Sequence, residues 1–115
     1  MPRYLISFDE GAMTFPEEEL SDVADAAHAV VQEAMDADVW VFGGGLYSHE
    51  ELSVMATDGT VTDGPYPENK AYIGGFSVVD VPSRKEALEW AAKIAVACRC
   101  AQDVREFLPD PAVGN

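Results

Sequence analysis

Side chains able to move protons near neutral pH are few in this chain, and they are unevenly placed. There are two histidines, His28 and His49, whereas Asp63, Tyr66, Glu68, Lys70 and Tyr72 crowd one segment, Asp58 to Phe76, reading DGTVTDGPYPENKAYIGGF. Turn formers fill that segment: Asp63-Gly64-Pro65, Pro67, Asn69 and Gly74-Gly75. A connection that only reversed the chain would not need so many ionisable and aromatic groups. Loops carried by a rigid scaffold are where binding and catalysis concentrate. Asp63 has two readings. As the head of an Asx-turn, its carboxylate accepts backbone N–H bonds. As a functional group, it is a carboxylate held in a pocket, acting as a base or orienting one.

His28 sits in a helical pattern. Positions 24, 28, 31 and 35 share one side of that helix, which puts His28 at the margin of the apolar stripe. It is either a proton-transfer residue in a cleft or a half-buried histidine bonded locally, for instance to Asp25. His49 lies in the polar stretch Tyr47-Ser48-His49-Glu50-Glu51 and is expected to be solvated. Other chemistries find little support. No H-x-x-x-H or C-x-x-C spacing marks a metal site, and no G-x-S-x-G elbow marks a serine nucleophile. Cys98-x-Cys100 reads as ordinary thiols. Gly43-Gly44-Gly45 lacks the Gly-Lys-Ser/Thr of a phosphate loop and reads as a strand end where a backbone or ligand comes close. Trp40, Phe42, Tyr72 and Phe76 are candidates for the floor of a small apolar pocket, or plain core. Neither cofactor nor metal is expected.

The elements that must position these residues follow from periodicity. Arg3 to Phe8 alternates and is rich in β-formers, so it reads as a strand. Pro16 followed by three glutamates starts a helix, because proline suits the first turn and carboxylates favour the positive end of the dipole. Leu20, Val23, Ala24, Ala27, Val30 or Val31, and Ala34 then recur at helical spacing to about Met35. Val39 to Phe42 is a second strand, ended by the glycine run. Leu52 to Ala56 and Val61-Thr62 flank Asp58-Gly59, a hairpin signal. A strand from Gly75 to Val81 stops at Pro82, and Ser83 with Glu86 forms a capping box for a second helix. That helix offers Ala87, Leu88, Ala91, Ile94 and Ala95 to the core. A short strand over 104–107 closes the domain, taken as 1–108, with 109–115 as a frayed tail. The order β-α-β-β-α-β with an extra hairpin implies an α+β, ferredoxin-like sandwich with both helices on one face. Its other sheet face needs cover, and for so small a domain a homodimer supplies it.

Composition narrows the partners. The 115 residues carry 7 Lys plus Arg against 21 Asp plus Glu, a formal charge of −14. A field of that sign opposes nucleic acid and anionic membranes, whose phosphates need Lys and Arg. No apolar run approaches the ~18 residues of a membrane span. Two closely spaced cysteines and the absence of a signal-peptide pattern point to the cytoplasm.

Thr62-Asp63-Gly64-Pro65-Tyr66, then Glu68 and Lys70, then Gly74-Gly75-Phe76, resembles the pattern of DGPF-domain proteins, part of the YCII-related superfamily. Tyr66 stands where that pattern has Phe. Val79-Asp80-Val81, Glu86 to Ala91 and the Pro-Glu-Glu helix start are also similar to it, while the stretch from Ala97 to Phe107 departs from it. The resemblance implies a dimeric α+β barrel with a cleft between sheet and first helix. It also implies a histidine in that helix working with an aspartate in proton transfer. Counting back from Gly45, His28 falls at that histidine's position.

Two functions follow. One is a cofactor-independent small-molecule enzyme that abstracts a proton or assists an elimination. His28 would be its base, Asp63 the partner, and Tyr66, Glu68, Lys70, Phe42 and Gly45 would meet the substrate. The other is a non-catalytic dimeric module that binds a ligand or regulates a partner. A shared cavity for His28 and Asp63 discriminates between them.

Overall fold

Alternation of apolar residues produces four strands that pair into one antiparallel sheet. In the computed structural model, which describes residues 2–64 and 71–115, these are β1 (Arg3–Asp9), β2 (Trp40–Gly45), β5 (Ile73–Asp80) and β6 (Asp103–Glu106). A separate hairpin, β3 (Ser53–Met55) and β4 (Val61–Asp63), is inserted between β2 and β5. The sheet order is β2-β5-β1-β6, so each of two β-α-β units is split by a strand of the other. Helix α1 (Leu20–Asp36) joins β1 to β2, and α2 (Arg84–Cys98) joins β5 to β6. This is the expected ferredoxin-like arrangement.

Directly opposed residues share a sheet face, and the register sorts them cleanly. Tyr4, Val79 and Trp40 form one row, Ile6, Ser77 and Gly43 the next, and Phe8, Gly75 and Gly45 the last. Tyr4, Ile6 and Val79 of this face pack with Ala87, Ala91, Ile94 and Cys98 of α2, and Ala27 and Val30 of α1 lie against the same core. Ile6, Val79 and Val81 are fully buried, each contributing ~1.5–3 kcal/mol of hydrophobic stabilisation. The opposite face carries Leu5, Val78 and Phe42 in one row, and Ser7, Phe76 and Gly44 in the next. Helices do not cover it.

Helix α2 starts as expected: the Ser83 hydroxyl accepts the Glu86 N–H at 3.2 Å. Its buried residues are Ala87, Ala91, Ile94, Ala97 and Cys98. Leu88, expected in the core, is 41% exposed, because a helix facing the sheet through 87, 91, 94 and 98 turns position 88 about 100° away. The first helix begins as a 3-10 turn over Glu17–Glu19 before becoming α-helical at Leu20. The glycine run does not end β2; all three glycines pair with β5. The last strand starts one residue earlier than the alternation suggested. The tail is folded rather than frayed: Asp110 N–H bonds Asn115 O, Asn115 N–H bonds Asp110 O, and a 3-10 turn spans Pro111–Val113. No helix among the described residues is long and apolar enough to cross a membrane.

Candidate active site

Between α1 and the helix-facing side of the sheet lies a cavity of about 460 Å³. Phe8, Trp40, Val30, Val31, Met13, Met35 and Ile94 give it an apolar lining, and Gly43 to Gly45 of β2 with Phe76 of β5 form a stretch of the sheet wall. Its polar groups are His28, Ser77, Cys98 and Gln102. The local sequence explains the opening. Three successive glycines leave no side chains on β2 beyond Phe42, and Ala24 and Ala27 keep α1 slim.

The glycines differ in what they do. At Gly43, a Cβ would lie 2.8 Å from Ser77 Cα and 2.9 Å from Trp40 Cη2, and closer still to the Phe76 carbonyl oxygen. The expectation of a close backbone approach is met there. At Gly45 a Cβ would meet nothing within 4 Å, so this position opens onto free space at the cavity.

His28 is exposed yet lines the cavity, which places its imidazole at the mouth. No hydrogen bond joins it to Asp25, and among the described residues no side-chain hydrogen bond engages it. Cys98 of α2 lines the same cavity. Burial pushes the Cys98 thiol above its ordinary value, with the neighbouring Cys100 adding to the rise. The thiol therefore stays protonated at neutral pH, and among the described residues of the lining His28 is the proton acceptor suited to work there. Both cysteines are free, and burial raises Cys100 as well.

Asp63 is elsewhere. It ends β4, where its Oδ1 accepts the Ser53 hydroxyl at 2.5 Å across the hairpin, and it is not part of the cavity lining. Among the described residues the cavity shared with His28, the discriminator set out above, is not observed, because the hairpin forms its own two-stranded sheet apart from the main one. Nor does Asp63 act as an Asx-turn head toward the residues described. The turn role falls instead to Asp58, whose Oδ1 accepts the Thr60 N–H at 2.9 Å beside Gly59 at φ +88°. Phe42 is also corrected. It is 65% exposed on the uncovered face, its ring 6.0 Å from that of Phe76, because the bulge at Val41 in β2 puts it opposite Val78. Gly45 and His28 do line the cavity. Tyr66, Glu68 and Lys70 lie outside the described residues.

A second histidine site escaped sequence reasoning. His49, expected to be solvated, is only 21% exposed, and its Nδ1 donates to Glu10 Oε1 at 2.9 Å. The His49 backbone N–H donates to both Glu10 oxygens, at 3.1 and 2.9 Å. The ring stacks on Tyr72, centroids 4.9 Å apart and 8° from parallel. Glu10 is fixed from behind by its own N–H, which bonds the Tyr72 carbonyl at 2.7 Å. The hydrogen bond from the His49 ring holds the Glu10 carboxyl below its usual range, helped by the His49 backbone N–H, although partial burial opposes it. Glu10 follows β1 and His49 follows β2, 39 residues away, so no local spacing could have announced the pair. The backbone of this site also touches the signature segment: a Cβ on Gly64 would lie 3.1 Å from the carbonyls of His49 and Glu50. Among the described residues no group of three or more His, Cys, Asp or Glu could hold a metal ion.

Against known proteins, the family model for the YCII-related domain matches residues 4–107. No curated protein matches the chain's sequence. Among solved structures, the chain is similar to 5-chloro-2-hydroxyhydroquinone dehydrochlorinase from Burkholderia phenoliruptrix AC1100, determined in complex with 2,5-dihydroxybenzoquinone. The TM-score is 0.53 at 15% identity, over 97% of this chain and 98% of that one. At that identity the likeness speaks for the fold.

Proposed function

Because the chain belongs to the YCII-related domain family, we propose that it is a cofactor-independent small-molecule enzyme with His28 as its general base. The observation that carries this reading is one imidazole at the mouth of an apolar cavity of about 460 Å³, with no competing ionised group in the described lining. A neutral imidazole there accepts a proton from a ligand hydroxyl or an acidic C–H, and the low-polarity walls keep water from competing. Elimination fits this equipment. The base takes one proton, the bonding electrons shift through the ring, and a halide leaves, so hydrogen halide is lost without any oxidant or reductant. The related fold of a dehydrochlorinase supports that choice. Asp63 has no part in this reading; its carboxylate serves the hairpin. The two free thiols fit a reducing compartment such as the cytoplasm.

The test is chloride release from 5-chloro-2-hydroxyhydroquinone, followed with an ion-selective electrode. His28→Gln is expected to lower the rate by at least ~100-fold. Its melting temperature should stay near that of the wild type, since the side chain is exposed and unbonded. Full activity in His28→Gln would remove His28 as the base. Tight binding of ring compounds by a wild type that turns none over would favour the second reading, a non-catalytic binding module. The absence of an orienting carboxylate from the described lining speaks for that module.

We also propose that the protein forms a homodimer. Leu5, Phe42, Phe76 and Val78 share the sheet face that the helices leave uncovered, and a second copy laid against it would bury them.

A further inference from the structure

We propose that the cavity selects uncharged, hydroxyl-bearing molecules over carboxylates and phosphates, and that Gln102 is the residue reading the ligand hydroxyl. The inference rests on the His28 cavity described above and adds its substrate class. Among the described residues, the lining contains neither Lys nor Arg, and neither Asp nor Glu. An anion entering would lose its hydration against aromatic and aliphatic walls without gaining a Lys or Arg partner in exchange. The net charge of −14 adds a repulsive field over the whole surface.

Beside His28, the polar groups that remain are Ser77, Cys98 and Gln102, and Gln102 has its orientation settled by the chain. The Gln102 amide nitrogen donates toward the Cys100 carbonyl at 3.4 Å and toward Cys100 Sγ at 3.5 Å. With its NH2 engaged there, Gln102 has its carbonyl oxygen to offer, an acceptor that asks for a donor. A ligand O–H meets that demand, and an ether or a carboxylate does not. Gln102 stands in the link between α2 and β6, held from both sides, so the acceptor is placed by rigid elements. His28 at the mouth and Gln102 in the wall therefore both favour ligands that donate hydrogen bonds.

The experiment is calorimetric or NMR titration of the full-length protein at pH 8, where histidines are ordinarily neutral, with resorcinol and with 3,5-dihydroxybenzoate. Resorcinol is expected to bind at least about tenfold more tightly than the carboxylate. Gln102→Leu should weaken resorcinol by about 3–10-fold, the value of one hydrogen bond. Gly45→Val, which fills open space at the cavity, should abolish binding by both. Equal or tighter binding of the dihydroxybenzoate would overturn the charge selection, as would failure of resorcinol to bind at millimolar concentration. An unchanged resorcinol affinity in Gln102→Leu would remove Gln102 from the role. These outcomes separate from those for His28: a protein that prefers resorcinol but releases no chloride keeps this inference and loses the catalytic reading. One that releases chloride with no charge preference does the reverse.

Discussion

Substituting Gly43 by alanine probes the packing that builds the cavity wall. Gly43 has no positive φ, so alanine is permitted by the backbone and the effect comes from space alone. The added methyl would sit 2.8 Å from Ser77 Cα and 2.9 Å from Trp40 Cη2, inside the ~3.5–4.0 Å at which carbon atoms are at ease. Two of its three nearest atoms are backbone, so β2 must shift from β5, or Trp40 must leave its place. Forcing one methyl into a filled site costs ~1–3 kcal/mol, against ~0.4–1 kcal/mol gained by stiffening the unfolded chain. The net spans ~0–2.6 kcal/mol and centres on a loss of ~1.3 kcal/mol, which for a domain near 100 residues lowers the melting temperature by ~5–10 °C. Gly45→Ala is the control: its methyl meets nothing within 4 Å, so the variant should melt at or slightly above the wild type. Differential scanning calorimetry on the three proteins decides it, with tryptophan fluorescence as a second readout for Trp40. If Gly43→Ala melts at or above the wild type, or the two variants shift together, the close approach at Gly43 is wrong.

The Glu10–His49 pair gives a pH-dependent expectation. The folded-state pKa of Glu10 lies below its ordinary 4.5, so the pair's stabilisation is present above pH 4.5 and is lost as pH falls through the depressed value. Urea unfolding of wild type and Glu10→Gln should show a stability gap at pH 6 that shrinks by pH 3, and a gap that stays constant would break the assignment. For the dimer, Phe42→Glu places a charge on the uncovered face where Phe42 is 65% exposed, and light scattering should report a monomer at micromolar concentration with the fold intact by circular dichroism. A wild type that is already monomeric, or a variant that still pairs, would remove this face as the interface.

Much of the fold was legible because its signals are local. Alternation over Arg3 to Phe8, the glutamates after Pro16, the Ser83 cap and the Asp58-Gly59 turn each act within a few residues, and each element formed where these signals put it. The site was legible in part. His28 reached a cavity because helical periodicity already placed it beside Ala27 and Val31. Asp63 did not, because the hairpin that carries it pairs with itself, a choice set by strand pairing rather than by the residues around Asp63.

The amino-acid sequence by itself determined the α+β class, the two capped or charge-primed helices and the acidic character, since propensity, capping and net charge are properties of neighbours and sums. Only the tertiary structure decided which side chains share space. Ser77 of β5, Cys98 of α2 and Gln102 before β6 meet His28 around one cavity because the split β-α-β topology stacks both helices on a single sheet face. Glu10 clasps His49 because β1 and β2 both reach the same end of that sheet through β5, whose Gly75 pairs with Phe8 on one side and Gly45 on the other. Contacts between residues dozens of positions apart carry no local signature, and they are what builds the cavity and the Glu10–His49 pair.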